Sequence, residues 1–298
     1  MTSSTFTNEK RKTTLGTTDI KVPRIGTGTN RWTFGENDEE VLQTYKALLD
    51  KGINFFDTAE IYTGGRSERL LGNCYRKDVR PSIIASKYRP SFNRRTEKDF
   101  TEALDESLKR LGLDSLDLYY VHMPPSVQKI EDLMNYMAKA WKSEKIRAVG
   151  VSNFTAEQMS AAAARLEEHD LKLAANQVEY SLLNRKPETD GILETCKSLN
   201  VSLVAYRPLA RGKLTSTKMT DASKSESNLR NLLQSIAEDH GGSICQVALN
   251  WLLYRDELVI PIPGATKSVH AMENAGALDW DMSKVEFKEL NEASTFSC

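Results

Sequence analysis

Short, β-prone apolar runs alternate with longer helical patterns over almost the whole chain. Most of these runs are continuously apolar, which is typical of parallel strands covered on both faces. Eight strand–helix units in 298 residues predict an α/β fold, a closed (β/α)8 barrel, with a doubly wound open sheet as the alternative. The predicted strands are Pro23–Gly28, Ile53–Asp57, Ser82–Lys87, Leu116–His122, Ile146–Ser152, Leu173–Tyr180, Ser202–Tyr206 and Leu258–Gly264.

The helical patterns between the strands carry apolar residues on one face, at a spacing of about 3.6 residues. In residues 97–112 that face holds Phe100, Leu104, Leu108 and Leu111, and Gly112 is the stop signal. In residues 39–52, Val41, Tyr45, Leu48 and Leu49 have the same spacing before Gly52. We expect both stripes to be core packing.

Some segments exceed the eightfold pattern. Residues Thr13–Val22 place a turn between two β-prone pieces, which predicts a hairpin that plugs the bottom of the barrel. Near the C-terminus, residues 228–255 are expected to hold two helices separated by Gly241–Ser243. The polar stretch 216–228 is predicted to be a mobile loop on the rim. Residues 1–12 are interpreted as a loose polar tail, and residues 13–298 as a single domain.

Composition excludes several classes of partner. A net charge of -1 and a pI near 6.5 give no global attraction to nucleic acid or to an anionic membrane. No apolar run approaches the roughly 20 residues that span a bilayer. The four cysteines form no C-x-x-C pair, which indicates a reduced, cytoplasmic compartment without a zinc site. The histidines are scattered, so a metal-dependent lyase or epimerase is disfavoured and no metal is expected.

Ionisable residues end three successive predicted strands. Asp57 ends the second strand, Lys87 the third and His122 the fourth, and Tyr62 follows in the loop after Asp57. The carboxyl ends of barrel strands form the active-site face. We therefore expect these four side chains to meet there. Each has an ordinary structural alternative when taken alone, such as a turn acid for Asp57 or a hydrogen-bonded rim residue for His122.

The chemistry of these four residues is coherent. A free tyrosine has a pKa of about 10, and an adjacent Lys87 ammonium is expected to lower it, which makes Tyr62 a better general acid. Asp57 supplies the counter-charge that a buried ammonium needs, and His122 can hydrogen-bond the same substrate oxygen. Such a site protonates a developing alkoxide. The hydride must come from a cofactor, because no side chain provides one.

Seven spaced segments of the chain resemble the aldo-keto reductase family, in the order of that family. The resemblance covers roughly Lys12 to Leu290, and it implies that Asp57, Tyr62, Lys87 and His122 are a catalytic tetrad. It further implies reduction of an aldehyde or ketone by NADPH. The segments are FDTAEIYTGGRSERLLG, IIASK, LYYVHMP, GVSNF, NQVEYSLLNR, AYRPLARG and IPIPGATKSVHAMENAGAL.

The resemblance also assigns the nicotinamide side of a cofactor site. The segment Gly26–Asn30 lacks the third glycine of a dinucleotide-binding G-x-G-x-x-G motif. Polar side chains at the ends of strands five and six can hold a carboxamide, and Tyr206 is expected to stack on the ring. The expected contacts are Gly28, Thr29, Asn30, Asp57, Ser152, Asn153, Gln177 and Tyr206, followed by Arg207, Leu209, Gly212 and Lys213 along the pyrophosphate.

After the eighth strand, a glycine turn leads into a helix, whose N-terminus favours an anion. The resemblance implies that this segment holds an adenosine 2′-phosphate through Gly264, Thr266, Lys267 and His270, and the adenine through Glu273 and Asn274. NADPH is therefore favoured over NADH. Because His270 stands where many members carry an arginine, use of NADH stays possible.

The substrate is expected to be a small carbonyl compound. Met123 replaces a tryptophan that many relatives have after the catalytic histidine, and Trp32, Tyr88 and Met123 are expected to line the open end of the pocket. A mouth without paired arginines disfavours small dianionic substrates. The alternative function is an NADPH-binding regulatory subunit that resembles channel-associated β subunits. The oligomeric state stays open, with a monomer favoured.

Overall fold

Eight parallel strands form a closed barrel surrounded by helices. The structure is a computed structural model of the chain, and it describes residues 11–32, 38–215 and 224–294. The strands are β1 Lys12–Thr14, β2 Lys21–Pro23, β3 Thr27–Gly28, β4 Phe55–Asp57, β5 Ile83–Tyr88, β6 Leu116–Val121, β7 Ile146–Ser152, β8 Leu173–Glu179, β9 Ser202–Tyr206 and β10 Val259–Ile262.

The helices connect consecutive strands and cover the outside of the barrel. They are α1 Asp38–Asp50, α2 Arg66–Lys77, α3 Glu97–Leu111, α4 Ile130–Lys142, α5 Ala156–Glu167, α6 Lys186–Thr189, α7 Ile192–Leu199, α8 Lys224–Asp239, α9 Ile244–Arg255, α10 Ser268–Gly276 and α11 Lys284–Ala293. In the part of the chain that the structure describes, no helix is both long and apolar enough to cross a bilayer.

The sheet closes between its first and last strands. The strands follow one another from β3 to β10, each paired in parallel with the next. A bridge joins Gly28 to Gly264, and the backbone N–H of Gly28 donates to the carbonyl of Pro263 at 3.2 Å. The predicted (β/α)8 barrel is therefore confirmed, and the open-sheet alternative is wrong.

The predicted hairpin closes the N-terminal end of the barrel. Strands β1 and β2 pair antiparallel, and they bring the fully buried Leu15 and Val22 against the inward-facing residues. Gly16 has φ +55°, and a Cβ there would lie 2.6 Å from the carbonyl oxygen of Ala174. Its N–H donates to Ser202 Oγ at 2.8 Å. Ala174 and Ser202 lie at the starts of their strands, so the hairpin lies at the bottom, as predicted.

The barrel interior is packed solid beneath the opposite rim. Large side chains such as Phe55, Leu118 and Tyr120 alternate with alanines inside the barrel. Gly150 makes room for the Tyr120 ring, because a Cβ at that position would lie 2.5 Å from its Cδ1. Any open cavity inside the barrel must therefore lie above this layer, at the carboxyl ends of the strands.

Helix α3 shows how local sequence sets the outer layer. Thr96 and Asp99 form a capping box at its start, and Gly112 ends it with φ +71°. The predicted stripe of Phe100, Leu104, Leu108 and Leu111 is buried, which fixes the helix on the barrel through its apolar face. The prediction of a core stripe with a glycine stop is confirmed here.

Several boundaries differ from the sequence prediction. Pro23 ends β2 of the hairpin, so the first barrel strand is shorter than predicted, and β5 extends to Tyr88, one residue beyond its predicted end. The two C-terminal helices are α8 and α9, as predicted, but α8 begins at Lys224, inside the segment 216–228 that was predicted as a loop. Residues 216–223 and 1–10 lie outside the described residues. Arg11 and Lys12 were assigned to the tail, yet Arg11 pairs with Asp279 at 2.8 Å and Lys12 begins β1. A single domain over 13–298 stays a prediction.

Candidate active site

Three neighbouring strands and one turn position the four predicted catalytic side chains. Asp57 is the last residue of β4, Lys87 lies in β5, and His122 directly follows β6. These strands are adjacent in the barrel. Tyr62 begins a short 3-10 turn, Tyr62–Gly65, that leads into α2. The structure thus brings all four residues to one sector of the rim.

Lys87 is the centre of the cluster. Its side chain is 0% exposed, and its Nζ donates to Asp57 Oδ2 at 2.6 Å, to the Thr58 carbonyl at 2.7 Å and to Tyr62 Oη at 3.3 Å. An ammonium has three donors, and each has an acceptor here. Burial by itself lowers the pKa of Lys87, but Asp57 and Tyr62 outweigh it and raise this pKa overall. Lys87 is therefore a buried cation.

Asp57 accepts a hydrogen bond on each carboxylate oxygen. Lys87 occupies Oδ2, and Gln177 Nε2 donates to Oδ1 at 2.7 Å. Burial is the largest influence and raises the pKa of Asp57, while the charge of Lys87 and the two hydrogen bonds oppose this rise without cancelling it. Gln177 was expected to hold a cofactor carboxamide, and the structure shows its amide nitrogen fixing Asp57. No sequence pattern indicates this contact.

Tyr62 differs from the expectation in its acidity. Burial is the largest influence and raises the pKa of Tyr62, while the Lys87 ammonium opposes this rise without cancelling it. The expected net lowering of this pKa is therefore wrong. The physical reason is that a rim position packed by protein disfavours the phenolate more than one cation stabilises it.

His122 packs edge-on against Tyr62, with ring centroids 5.7 Å apart and planes at 79°. Burial, and then the charges of Lys87 and Arg89, lower the pKa of His122 to about 3. Its imidazole is therefore neutral near pH 7. Nδ1 is buried without a hydrogen-bond partner among the described residues.

The ends of β7, β8 and β9 form a connected polar surface. Ser152 Oγ donates to the carbonyl of Gln177 at 2.9 Å, and Asn153 Nδ2 donates to Ser152 Oγ at 3.1 Å. Tyr206 Oη donates to Asn153 Oδ1 at 2.9 Å. Asn153 adopts φ +60°, a conformation that asparagine tolerates better than most residues. These predicted cofactor residues lie together, with the Tyr206 ring half-exposed.

The turn after β9 brings the next predicted group together. It contains three non-glycine residues with positive φ: Arg207, Ala210 and Arg211. Such strained backbone is concentrated at functional sites. Arg207 Nη1 donates to Glu179 Oε2 at 2.9 Å, and its guanidinium lies 5.6 Å from the Tyr206 ring centroid. The predicted Leu209, Gly212 and Lys213 belong to the same turn.

At the end of β3 and the neighbouring end of β10, one predicted cofactor residue is buried and hydrogen-bonded, whereas two others are exposed. Thr29 is fully buried, and its hydroxyl contacts the carbonyl of Asp57 at 3.0 Å and Ser67 Oγ at 2.7 Å. The Thr29 hydroxyl thus holds the backbone of Asp57, and both of its contacts are made within the protein. Asn30 is exposed. Gly264 is exposed too, and a Cβ there would meet only the Gly28 carbonyl, at 3.7 Å, so there is free space next to the glycine turn.

The start of α10 carries the residues predicted for a phosphate. Lys267 precedes the helix as its N-cap, is exposed, and has its Nζ 4.0 Å from Glu40 Oε1. Thr266 Oγ1 lies 3.4 Å from His270 Nδ1. Glu273 is half-buried, whereas Asn274 is 3% exposed and its side chain contacts Cys245 Sγ and the carbonyl of Gly264. Asn274 thus fixes the glycine turn.

Two of the three residues expected at the open end are instead in the core. Trp32 is 1% exposed, and its indole N–H donates to the carbonyl of Ala265 at 2.8 Å. Tyr88 is fully buried with its ring 5.1 Å from that of Phe100. The Trp32 ring packs against Phe56, with centroids 6.3 Å apart, and both Trp32 and Tyr88 belong to the main hydrophobic core. Met123, half-exposed beside His122, is the member of this set that lies at the rim.

Sequence reasoning missed two contacts of Lys87. The Thr58 carbonyl leaves no sequence signal, because any residue could supply it. Tyr120, whose ring centroid is 5.7 Å from Lys87 Nζ, lies two residues before His122 and so shares its face of the strand. That alternation could have identified Tyr120 as the floor of the site.

A separate cavity of about 950 Å³ lies near the hairpin and α9, at the other end of the molecule. It is lined by polar residues such as Arg24, Asn250 and Asp256. None of the predicted site residues lines it. The cavity therefore has no part in the chemistry at the rim.

The family model described as "Aldo/keto reductase family" matches residues 24–295. The chain belongs to the aldo/keto reductase family. Over its length this reductase is 32% identical to Aldo-keto reductase yakc of Schizosaccharomyces pombe, whose name specifies NADP(+). That match covers 91% of this chain and 88% of the relative.

Solved structures agree with this assignment. The thermostable aldo-keto reductase Tm1743, solved with the inhibitor epalrestat, is 33% identical with a TM-score of 0.84, and the match covers 95% of this chain and 99% of that one. An aldo/keto reductase of Klebsiella pneumoniae, solved with NADP and acetate, is 30% identical with a TM-score of 0.79, covering 95% and 94%. The expected family and barrel fold are confirmed.

Proposed function

We propose that this aldo/keto reductase reduces an aldehyde or ketone to an alcohol with NADPH, and that Tyr62 is the general acid. The observation that carries the proposal is the fully buried Lys87, placed between Asp57 at 2.6 Å and Tyr62 Oη at 3.3 Å. A buried ammonium beside a phenol serves a reaction in which that phenol becomes an anion.

The raised pKa of Tyr62 keeps its hydroxyl protonated at neutral pH. When NADPH is bound, it supplies the hydride for the carbonyl carbon. As negative charge develops on the substrate oxygen, Tyr62 donates its proton to that oxygen, and the phenolate that remains is stabilised by the adjacent ammonium of Lys87. Asp57 keeps the ammonium in place throughout. The proton therefore stays on Tyr62 until negative charge develops on the substrate oxygen.

His122 positions the substrate oxygen in this proposal. Because the pKa of His122 is lowered to about 3, its imidazole is neutral and does not compete with Tyr62 as an acid. A neutral imidazole still donates one hydrogen bond. His122 can thus hold the carbonyl oxygen beside Tyr62, whose ring it contacts edge-on.

The residues present fit an extended dinucleotide. The half-exposed Tyr206 ring and the Ser152–Asn153 polar pair would hold the nicotinamide end, and the strained turn at Arg207 the pyrophosphate. Lys267 and His270 at the start of α10 would hold a 2′-phosphate, helped by the helix N-terminus. The NADP(+) in the name of the S. pombe relative and the NADP in the K. pneumoniae structure support this choice.

Substitution of Tyr62 by phenylalanine tests the proposal. We expect turnover of a simple aldehyde to fall by at least about 100-fold, the usual contribution of a general acid, while the NADPH affinity from a fluorescence titration changes little. The matched control is Tyr254→Phe, a remote and partly exposed tyrosine, which should leave both values unchanged. Carbonyl reduction by Tyr62→Phe near the wild-type rate would refute the assignment. A wild-type chain that binds NADPH yet reduces no carbonyl compound would favour the regulatory-subunit alternative.

A further inference from the structure

Arg89 lies at the rim of the barrel, next to His122. It directly follows β5, two residues beyond Lys87. In the pairing of β5 with β6, Tyr88 is opposite Val121, and the N–H of His122 donates to the Tyr88 carbonyl at 2.8 Å. Arg89 therefore comes next to His122. Since alternate residues of an extended strand share a face, Arg89 continues the inward-facing row of Lys87.

The position of Arg89 is fixed through its backbone. Its N–H donates to Glu60 Oε1 at 2.6 Å. The same carboxylate is neutralised by Arg94 Nη1 at 2.7 Å, and Glu60 is only 6% exposed at its side chain. A buried acid and its arginine thus anchor the first residue after β5. The carboxylate charge of Glu60 is already balanced by Arg94.

Arg89 is half-buried as a residue, and its guanidinium has no hydrogen bond or ion pair within residues 11–32, 38–215 and 224–294. Two other arginines near this rim are engaged, Arg94 with Glu60 and Arg207 with Glu179. The charge of Arg89 also helps to lower the pKa of His122. A cation in such a position, without a counter-charge, is suited to an anionic ligand.

We propose that Arg89 binds a carboxylate of the substrate, so that the enzyme prefers carbonyl compounds that carry one negative charge near the reacting group. This inference rests on the proposed function. The planar guanidinium fits a carboxylate through two parallel hydrogen bonds. A single guanidinium balances one charge, whereas a phosphate monoester would bring a second negative charge that Arg89 does not balance. The expectation that small dianions are disfavoured is thereby retained, and monoanions are added as the preferred class.

The test compares an acid with its neutral ester. With NADPH, kcat/KM is measured for 4-carboxybenzaldehyde, for methyl 4-formylbenzoate and for 4-formylphenyl phosphate, in the wild type and in Arg89→Met. We expect Arg89→Met to lower kcat/KM for the carboxylate by about 10- to 100-fold, as for loss of a charge-assisted hydrogen bond, and to change the value for the ester by less than about 2-fold. Arg89→Lys should recover part of the loss.

The control variant is Arg95→Met. It removes the same charge from the same loop, but its guanidinium is already bound to the Phe92 carbonyl at 2.7 Å, so all three substrates should be unaffected. Retained ester reduction shows that Arg89→Met is folded and active.

Three outcomes would overturn the inference. An equal effect of Arg89→Met on acid and ester, or no effect on either, would remove the role of Arg89 while leaving the proposed function intact. A larger loss for the phosphate than for the carboxylate would refute the choice of a monoanion. A wild type that reduces none of these aldehydes would refute the proposed function and this inference with it.

Discussion

Replacement of Asp57 by asparagine perturbs the buried ion pair with the smallest change in shape. Each carboxylate oxygen now accepts a hydrogen bond, from Lys87 at 2.6 Å and from Gln177 at 2.7 Å. An asparagine side chain has one acceptor oxygen and one NH2 donor. In either orientation of the asparagine amide, its NH2 group faces the donor of Lys87 or the donor of Gln177, and that hydrogen bond is lost. The substitution also leaves the ammonium of Lys87, which is 0% exposed, without a counter-charge.

Both effects act against the folded state. Removing one partner of a buried pair costs about 3–5 kcal/mol, which for a chain of this size corresponds to a lower Tm by on the order of 10 °C. The control is Asp279→Asn, which removes the partner of Arg11 in a surface pair at 2.8 Å with Asp279 60% exposed. Exposed pairs contribute about 0–1 kcal/mol. Thermal unfolding of the apo proteins, followed by circular dichroism, measures both.

The pH dependence supplies a second measurement. In the wild type the pKa of Lys87 is raised above its ordinary value of 10.5, so its contribution to stability is complete below about pH 10.5 and is lost only at still higher pH. In Asp57→Asn, burial still lowers the pKa of Lys87, but the carboxylate that raised it is gone, so this pKa falls below its value in the unfolded chain. The unfolded state then binds more protons than the folded one. Stability of the variant should therefore rise from about pH 6 to pH 9, in contrast to the wild type. If Asp57→Asn loses no more stability than Asp279→Asn, and its stability depends on pH as in the wild type, the claim that a buried ion pair stabilises the fold is refuted.

Three further predictions concern other parts of the site. Gly150→Ala places a Cβ 2.5 Å from Tyr120 Cδ1 and should lower the free energy of unfolding by about 1–3 kcal/mol; urea denaturation should show partial recovery when Tyr120→Leu is added, and no recovery would contradict the clash. The imidazole of His122, with a pKa of about 3, should show no titration by NMR between about pH 5 and 8, and a midpoint in that interval would contradict its burial. Lys267→Met should weaken NADPH binding about 10-fold and NADH binding little, by fluorescence titration, whereas the remote exposed Lys288→Met should change neither; equal losses for both nucleotides would argue against a 2′-phosphate contact.

The sequence predicted the barrel well because its signals are local. Each strand is a short apolar run and each helix has its own periodicity and stop signal, as at Gly112 with φ +71°. The segment 216–228 was less predictable, since the start of α8 at Lys224 lies in a stretch of polar residues without an apolar stripe. Trp32 and Tyr88 were placed at the mouth by their nearness to the site in sequence, yet they pack in the core, where large apolar surfaces gain most from burial.

The candidate site was predictable to the extent that strand ends are predictable. Asp57, Lys87 and His122 each lie within one residue of the end of a recognisable strand, and adjacent strand ends must meet at one rim. The partner of Gln177 was not predictable, because its contact with Asp57 joins residues 120 positions apart and depends on how far across the barrel each side chain reaches. The same holds for the guanidinium of Arg89, which has no partner among the described residues, while the nearby Glu60 side chain pairs with Arg94.

The order of apolar runs and helical stripes by itself determined that this chain closes into an eight-stranded barrel, and that an acid, an ammonium and an imidazole arrive at its upper rim. Only the tertiary structure decided the acidity and the hydrogen bonding of these groups. Burial outweighs the charge of Lys87 and raises the pKa of Tyr62, and the side chain of Gln177 donates to Asp57. The physical reason is that residue types follow from the sequence, whereas desolvation and hydrogen-bond pairing depend on distances that exist only after the sheet has closed.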